Sequence, residues 1–260
     1  MRVARYSYEG RDGVGIVSGD AIVPAGTAVL SPVPDGVPIP LSSLELLAPV
    51  GRDAKIICVG LNYPDHAAEG GVDPPDEPLI FAKLPSSVIG HGRPVILPRL
   101  SDEVDFEAEL GVVIGRRACQ VSVAEARDYV FGYTCVNDVS ARDLQVRDQQ
   151  WTRAKSLDTF CPVGPWIVTA DEVPDPQALG IRCLLNGEVM QDSSTASMIF
   201  GVNDLVSFIS QGITLEPGDL IATGTPGGVG FLRHPPRYLS RGDVVRVEID
   251  RIGYLDSPVA

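Results

Sequence analysis

One stretch constrains the fold of this 260-residue chain more than any other: Val104-Asp105-Phe106-Glu107-Ala108-Glu109-Leu110, running straight into Gly111-Val112-Val113-Ile114. Its first seven residues alternate apolar and acidic. At a period of two, Val104, Phe106, Ala108 and Leu110 share one strand face, and Asp105, Glu107 and Glu109 share the other. Like charges along one face repel, so the strand is either a solvated edge or is supplied with a cation. The apolar run that follows leads into a core. Carboxylates entering a core need a partner, and no adjacent Lys or Arg stands there before Arg116.

The remaining pattern is also rich in strands. With 27 Gly and 22 Pro, turns are frequent and few uninterrupted stretches are free to form long helices. Val3–Tyr8 and Val14–Val17 read as short strands separated by Gly-Arg-Asp turn signals. Pro32, Pro34, Pro38 and Pro40 follow, and then the apolar strand Ile56–Val59. This places a boundary near residue 50, with a small β-rich N-terminal domain over 1–50 and a main domain over 51–260. At 44% hydrophobic, the chain can bury one large core beside a small appended unit.

Further along, Ser122 and Glu125 fit a capping box opening a helix that stops by Gly132. Tyr133–Asn137 reads as a strand, and a second helix starts near Asp138–Ser140 and runs through Gln145. Asn203–Gln211 is an amphipathic helix with Leu205, Phe208 and Ile209 on one face and Gly212 at the C′ position. Glu216-Pro217-Gly218-Asp219 carries a type II turn signal and feeds the strand Leu220–Thr223. Val244–Ile249 is a late alternating strand.

Charge and cysteine usage exclude several classes. The net charge is −13 with no Lys/Arg cluster, which argues against nucleic acid as a partner. No apolar run approaches the ~18 residues of a membrane span. The first residues lack the apolar segment of a signal peptide, so the expected location is cytoplasmic. The five cysteines are scattered without a CxxC pair. They read as free thiols in a reducing compartment rather than as a zinc site.

Asp138 stands at a strand-to-helix corner. It reads as an N-cap, as a metal ligand, or as both at once. With Glu107 and Glu109 it makes an all-oxygen set suited to Mg²⁺, Mn²⁺ or Ca²⁺. Three ligands leave about three positions on an octahedral ion. Two adjacent ones suit the carboxylate and keto oxygens of a 2-oxo acid.

His66 and Glu69 lie i, i+3 in Gly60–Gly71, as a general-base pair or a surface ion pair. Asp65 is placed to cap that single turn, Gly70-Gly71 to end it, and residues 70–76 to form a mobile lid. Lys155 either holds a substrate oxygen or pairs with Asp158. Arg142 and Gln145, also i, i+3, either read a substrate carboxylate or decorate the surface. Lys83, at the end of the apolar strand Leu79–Lys83, is a substrate contact or a simple strand-end charge. Thr223–Gly230 is glycine-rich but lacks the Gly-Lys-Ser/Thr ending of a phosphate loop. Its backbone N–H groups and the Thr225 hydroxyl are expected to approach an anion.

Taken in order, these motifs resemble the fumarylacetoacetate hydrolase family over roughly residues 55–250. The match includes Gly60-Leu61-Asn62-Tyr63 with His66 and Glu69, Phe81-Ala82-Lys83, Asp105 to Leu110, and Gly132-Tyr133 through Asn137 to Asp143. It continues through Ala154 to Asp158, Cys161 to Pro165, Gly224-Thr225-Pro226 and the closing 239–253 segment. The resemblance implies a β-rich α+β fold, a β-sandwich-roll catalytic domain with a small N-terminal domain, usually a homodimer. It implies Mg²⁺ or a similar ion on Glu107, Glu109 and Asp138. It implies a water-activating pair in His66 and Glu69 and an oxyanion-stabilising Lys155. Arg142, Gln145 and Thr225 match substrate-contacting positions.

The short first section resembles the branch with acylpyruvate hydrolases, oxaloacetate decarboxylases and hydroxyhepta-dienedioate isomerases. The expected activity is hydrolytic C–C cleavage of a small 2,4-dioxo acid of acylpyruvate type, through a metal-chelated enolate. The alternatives on the same site are oxaloacetate decarboxylation and 2-hydroxyhepta-2,4-diene-1,7-dioate isomerisation.

Overall fold

The computed structural model describes residues 1–260. The chain opens with a meander, β1 (Arg2–Tyr8), β2 (Arg11–Ser18) and β3 (Ala21–Pro24), followed by the short β4 (Ile39–Pro40) and β5 (Glu45–Leu47). The first turn is possible because Gly10 takes φ +74°. Ala4, Tyr6, Val17 and Ile22 form a small core of their own.

The central segment runs through β6 (Ile56–Gly60), helix α1 (Pro64–Glu69), β7 (Leu79–Lys83), β8 (Val88–Ile89), β9 (Val104–Asp105) and β10 (Ala108–Ile114). Next come β11 (Val130–Asn137), β12 (Ser140–Ala141), helices α2 (Arg142–Asp148) and α3 (Thr152–Lys155), and β13 (Cys161–Thr169). The last third holds β14 (Gly180–Leu185), β15 (Glu188–Ser194), α4 (Val202–Gly212), β16 (Leu220–Ala222), β17 (Val244–Ile249) and β18 (Gly253–Pro258).

Most strands join one large sheet in the order β4-β3-β2-β1-β13-β11-β10-β16-β6-β7. β1 pairs with β13 at Arg2↔Val168, so the N-terminal meander extends the main sheet. A second sheet, β15-β14-β17-β18, covers the first. Their facing side chains, among them Leu110, Tyr133, Cys183 and Val247, belong to a core of 42 buried residues. All seven residues of β10 are buried, as its apolar run requires. The fold is the β-rich α+β arrangement expected from the sequence.

Several local expectations change. No α-helix forms after Ser122. The capping pair is real, with Ser122 Oγ donating to Glu125 Oε2 at 2.5 Å. It leads only to a short 3₁₀ turn, Ala126–Tyr129. The β-branched Val130 and aromatic Phe131 are drawn into β11, which leaves no room for a longer helix. Gly212 is the last helical residue rather than a left-handed C′ cap, and the chain leaves through extended Ile213 at φ −126°. Asp138–Ser140 precedes the helix instead of starting it. The type II turn stands: Asp219 N–H donates to Glu216 O at 3.0 Å, and Gly218 takes φ +94°. The acidic strand is broken at Phe106–Glu107, between β9 and β10, and is buried on both faces rather than exposed at an edge.

Candidate active site

The register Ala108↔Asn137 between β10 and β11 brings the three expected carboxylates together. Glu107 precedes β10, Glu109 lies within it, and Asp138 follows β11. Asn137 Oδ1 accepts the Glu107 N–H at 3.0 Å, and Asp138 N–H donates to Glu107 O at 2.9 Å. These bonds fix the corner. One oxygen from each carboxylate lies within 4.8 Å of the others, and all three residues are buried.

Three cations from distant segments surround them. Lys155, at the end of α3, donates to Glu107 Oε2 and Asp138 Oδ2, both at 2.8 Å. It does not pair with Asp158. Lys83 is 2% exposed, and its Nζ reaches Asp138 Oδ1 at 2.5 Å, so it is no simple strand-end charge. Arg142, the first residue of α2, donates through Nε to Asp105 Oδ2 at 2.9 Å. Its Nη1 meets Glu107 Oε1 at 2.7 Å and Gln145 Oε1 at 3.0 Å. The sequence offered no adjacent cation because all three arrive through the fold.

Asp105, Glu107, Glu109 and Asp138 thus face Lys83, Arg142 and Lys155, four buried acids against three buried cations. Glu109 is the one left over. It accepts a hydrogen bond from Gly224 N–H at 2.9 Å and has no salt bridge. Burial, then the nearby Asp138 and Glu107, push its carboxyl well above the usual range. Burial acts the same way on Glu107, but Lys155 and Arg142 outweigh it and hold that carboxyl at about 2. An acidic group with hard oxygen donors and one unbalanced buried carboxyl fits a divalent cation.

Facing this group is α1, started by Pro64 at its first turn. Tyr63 occupies the N-cap position. Asp65 instead accepts the N–H of His66 at 2.9 Å, which corrects the expected capping role. His66 Nδ1 and Glu69 Oε1 are 2.7 Å apart. Glu69 takes Nδ1, which leaves Nε2 available to the cavity.

The glycine-rich loop after β16 meets anions, but they are the protein's own. Gly224 N–H holds Glu109, Gly228 N–H holds Glu69 at 2.8 Å, and Gly230 and Phe231 N–H hold Asp105 at 2.8 and 3.0 Å. Thr225 Oγ1 accepts from Gln191 Nε2 at 2.7 Å, so its own O–H is free to donate elsewhere.

These elements enclose a cavity of about 360 Å³. Its polar wall is His66, Glu107, Arg142, Gln145, Lys155 and Thr225. Glu69, Glu109 and Asp138 stand directly behind that wall. Lys83, expected among the substrate contacts, does not line the cavity; it lies beneath Asp138. The sequence reading missed two features. Trp151 forms part of the apolar wall and meets Phe81 edge-on, with ring centroids 5.3 Å apart. Asp105 orients Arg142 and anchors the loop. Its position on the acidic face was visible, but nothing local distinguished it from the ligands.

The sequence profile described as fumarylacetoacetate (FAA) hydrolase C-terminal matches residues 55–260. The chain belongs to the fumarylacetoacetate hydrolase family. Residues 1–49 match a second profile, described as Rv2993c-like, N-terminal. Among relatives of this family member is the oxaloacetate tautomerase fahd2, mitochondrial, of Xenopus laevis. It is 49% identical over 220 residues, covering 84% of this chain and 69% of the relative. A 2-hydroxyhepta-2,4-diene-1,7-dioate isomerase from Mycobacterium marinum superposes with a TM-score of 0.88 at 41% identity, covering 100% of this chain and 98% of that one. A fumarylacetoacetate hydrolase from Exiguobacterium antarcticum gives 0.91 at 38% identity, covering 100% and 99%. The chain is therefore an enzyme of this family, and no helix in it is long and apolar enough to cross a membrane.

Proposed function

We propose that this enzyme interconverts the keto and enol forms of a small 2-oxo acid, with Mg²⁺ or a similar hard ion on Glu107, Glu109 and Asp138. The observation that carries the reading is the His66–Glu69 pair, 2.7 Å apart, whose His66 lines the same cavity as Glu107 of the carboxylate group. The tautomerase and isomerase names of the Xenopus and Mycobacterium marinum relatives support proton transfer ahead of hydrolysis. This departs from the C–C cleavage expected from the motifs.

A bound divalent ion would supply a Lewis acid that lowers the cost of negative charge on the keto oxygen. The chain's own groups do the rest. Arg142 and Gln145 orient the substrate carboxylate. His66 takes a proton from the carbon beside the keto group through Nε2, and Glu69 holds the ring in the required tautomer. Lys155 adds positive charge where the oxygen gains negative charge, and Thr225 donates its hydroxyl. The proton then passes to the oxygen, so no water is consumed. Lys83 serves from behind by neutralising Asp138.

The test is enol-to-keto conversion of oxaloacetate with Mg²⁺, followed by absorbance. His66→Ala is expected to lower the rate by about 10²–10⁴-fold. An undiminished rate removes the pair from the mechanism.

Hydrolysis of an acylpyruvate is the second reading. The same cavity is also lined by Val72, Phe81, Val146, Trp151 and Leu232, an apolar surface that suits an acyl substituent. The same pair would then activate water. Release of pyruvate from acetylpyruvate, without faster enol conversion, would establish that reading instead. Oxaloacetate decarboxylation needs no activated water and would show as CO₂ release that survives His66→Ala. A cytoplasmic homodimer, acting on small molecules and divided near residue 50, completes the proposal.

A further inference from the structure

The structure assigns Arg233 the part of a positioning residue for the His66–Glu69 pair, acting through Gly228; this rests on the proton-transfer role proposed for that pair. Arg233 follows the glycine-rich loop and has no carboxylate partner. Its Nε donates to Gly228 O at 3.2 Å, and its Nη2 donates to Met190 O on β15. One guanidinium therefore ties the loop to the second sheet. A planar fork reaching two carbonyls fixes a peptide in a way a single charge does not.

The N–H of the same Gly228 donates to Glu69 Oε2 at 2.8 Å, and the other oxygen of Glu69 meets His66 Nδ1 at 2.7 Å. The chain of contacts is continuous: β15, Arg233, Gly228, Glu69, His66. It spans the gap between the short helix α1 and the sheet. Without it, one oxygen of Glu69 would lose its partner and the carboxylate would be free to rotate.

The position demands glycine. Gly228 takes φ +101°, and a Cβ there would lie 2.4 Å from Met190 O. The backbone thus runs against β15 at the point where Arg233 grips both carbonyls. Arg233 also faces a separate cavity, lined with Asn186, Glu188, His234 and Arg237, so it touches the site only through the loop. It is not in position to contact substrate.

Two measurements on the full chain test this. Proton NMR of the wild type should show a slowly exchanging, downfield His66 Nδ1–H held by Glu69. The signal should vanish in Glu69→Gln and in Arg233→Gln, and return in part in Arg233→Lys. In the enol-conversion assay, Arg233→Gln should lower kcat about tenfold with KM and thermal midpoint near those of the wild type. It should cost nothing further in a Glu69→Gln background.

Arg233→Met, which keeps the length of the side chain but donates to neither carbonyl, should reproduce both effects. If Arg233→Gln does not fold, Arg233→Lys and Arg233→Met make the same comparison. Retention of the signal and of kcat in Arg233→Gln, or additive losses with Glu69→Gln, would overturn the assignment. A wild type that shows the signal but converts no 2-oxo acid refutes the isomerase reading, and the NMR comparison still decides the role of Arg233.

Discussion

Lys83 shows how single charges in this site depend on one another. Its side chain and that of Asp138 are both fully buried. Removing Lys83 leaves Asp138 with Lys155 on Oδ2 but takes the partner from its buried Oδ1, and costs about 1–3 kcal/mol. Lys83→Met in the metal-free protein should therefore lower the denaturant midpoint by that equivalent, and urea unfolding reads it. His91 gives a second prediction. Burial lowers its pKa from the ordinary 6.5, and its neutral Nδ1 accepts the Asp256 N–H at 3.2 Å. The unfolded chain then binds a proton that the folded chain refuses. Stability is intact above the ordinary histidine pKa, near 6.5, and falls as pH drops below it. Melting temperature against pH should show this slope in the wild type and a flatter one in His91→Gln. At this scale the sequence was informative for Glu107 and Glu109, because acidic residues alternate into an apolar run, whereas Asp138, His66 and Glu69 each kept an ordinary alternative until the ordered motifs were taken together. It was silent on which distant cation meets which acid, and so on Asp105 and Arg233.

At the scale of elements, legibility followed how far local preference agreed with packing. β10, β17 and the turn before β16 were readable, because an apolar run, an alternating run and a Pro-Gly pair each leave one low-energy conformation. Ser122–Tyr129 was not, because a genuine capping pair was followed by residues that pair better in a sheet. The break between β9 and β10 was also hidden. A period-two pattern continues across it, yet Asp105 turns to the Gly230 and Phe231 N–H groups while Glu107 and Glu109 gather with Asp138. β10 carries the site on its back, so its packing bears on function. Leu110 is completely buried. Leu110→Ala should cost about 2–5 kcal/mol of stability, measured by chemical unfolding. Its effect on divalent-ion affinity should be small, since the neighbouring Glu109 keeps its backbone pairing with Val136.

For the whole molecule, two sheets hold an acidic group in which Glu109 has no cation of its own, and a bound ion would supply one. A ligand that binds only the folded state raises its stability by mass action, by about 2.7 kcal/mol at a hundredfold excess over Kd. Mg²⁺ should therefore raise the melting temperature, and a chelator should reverse the shift. The overall charge of −13 is no guide to this, since solvated carboxylates elsewhere do not compete for the ion in a buried, oxygen-lined site. The most direct test is Mn²⁺ titration calorimetry on the wild type, Glu109→Gln and Asp138→Asn. The wild type should bind one ion per chain, and each variant should lose at least tenfold in affinity while remaining folded. Equal affinity in all three would contradict the assignment of the metal site and the chemistry built on it.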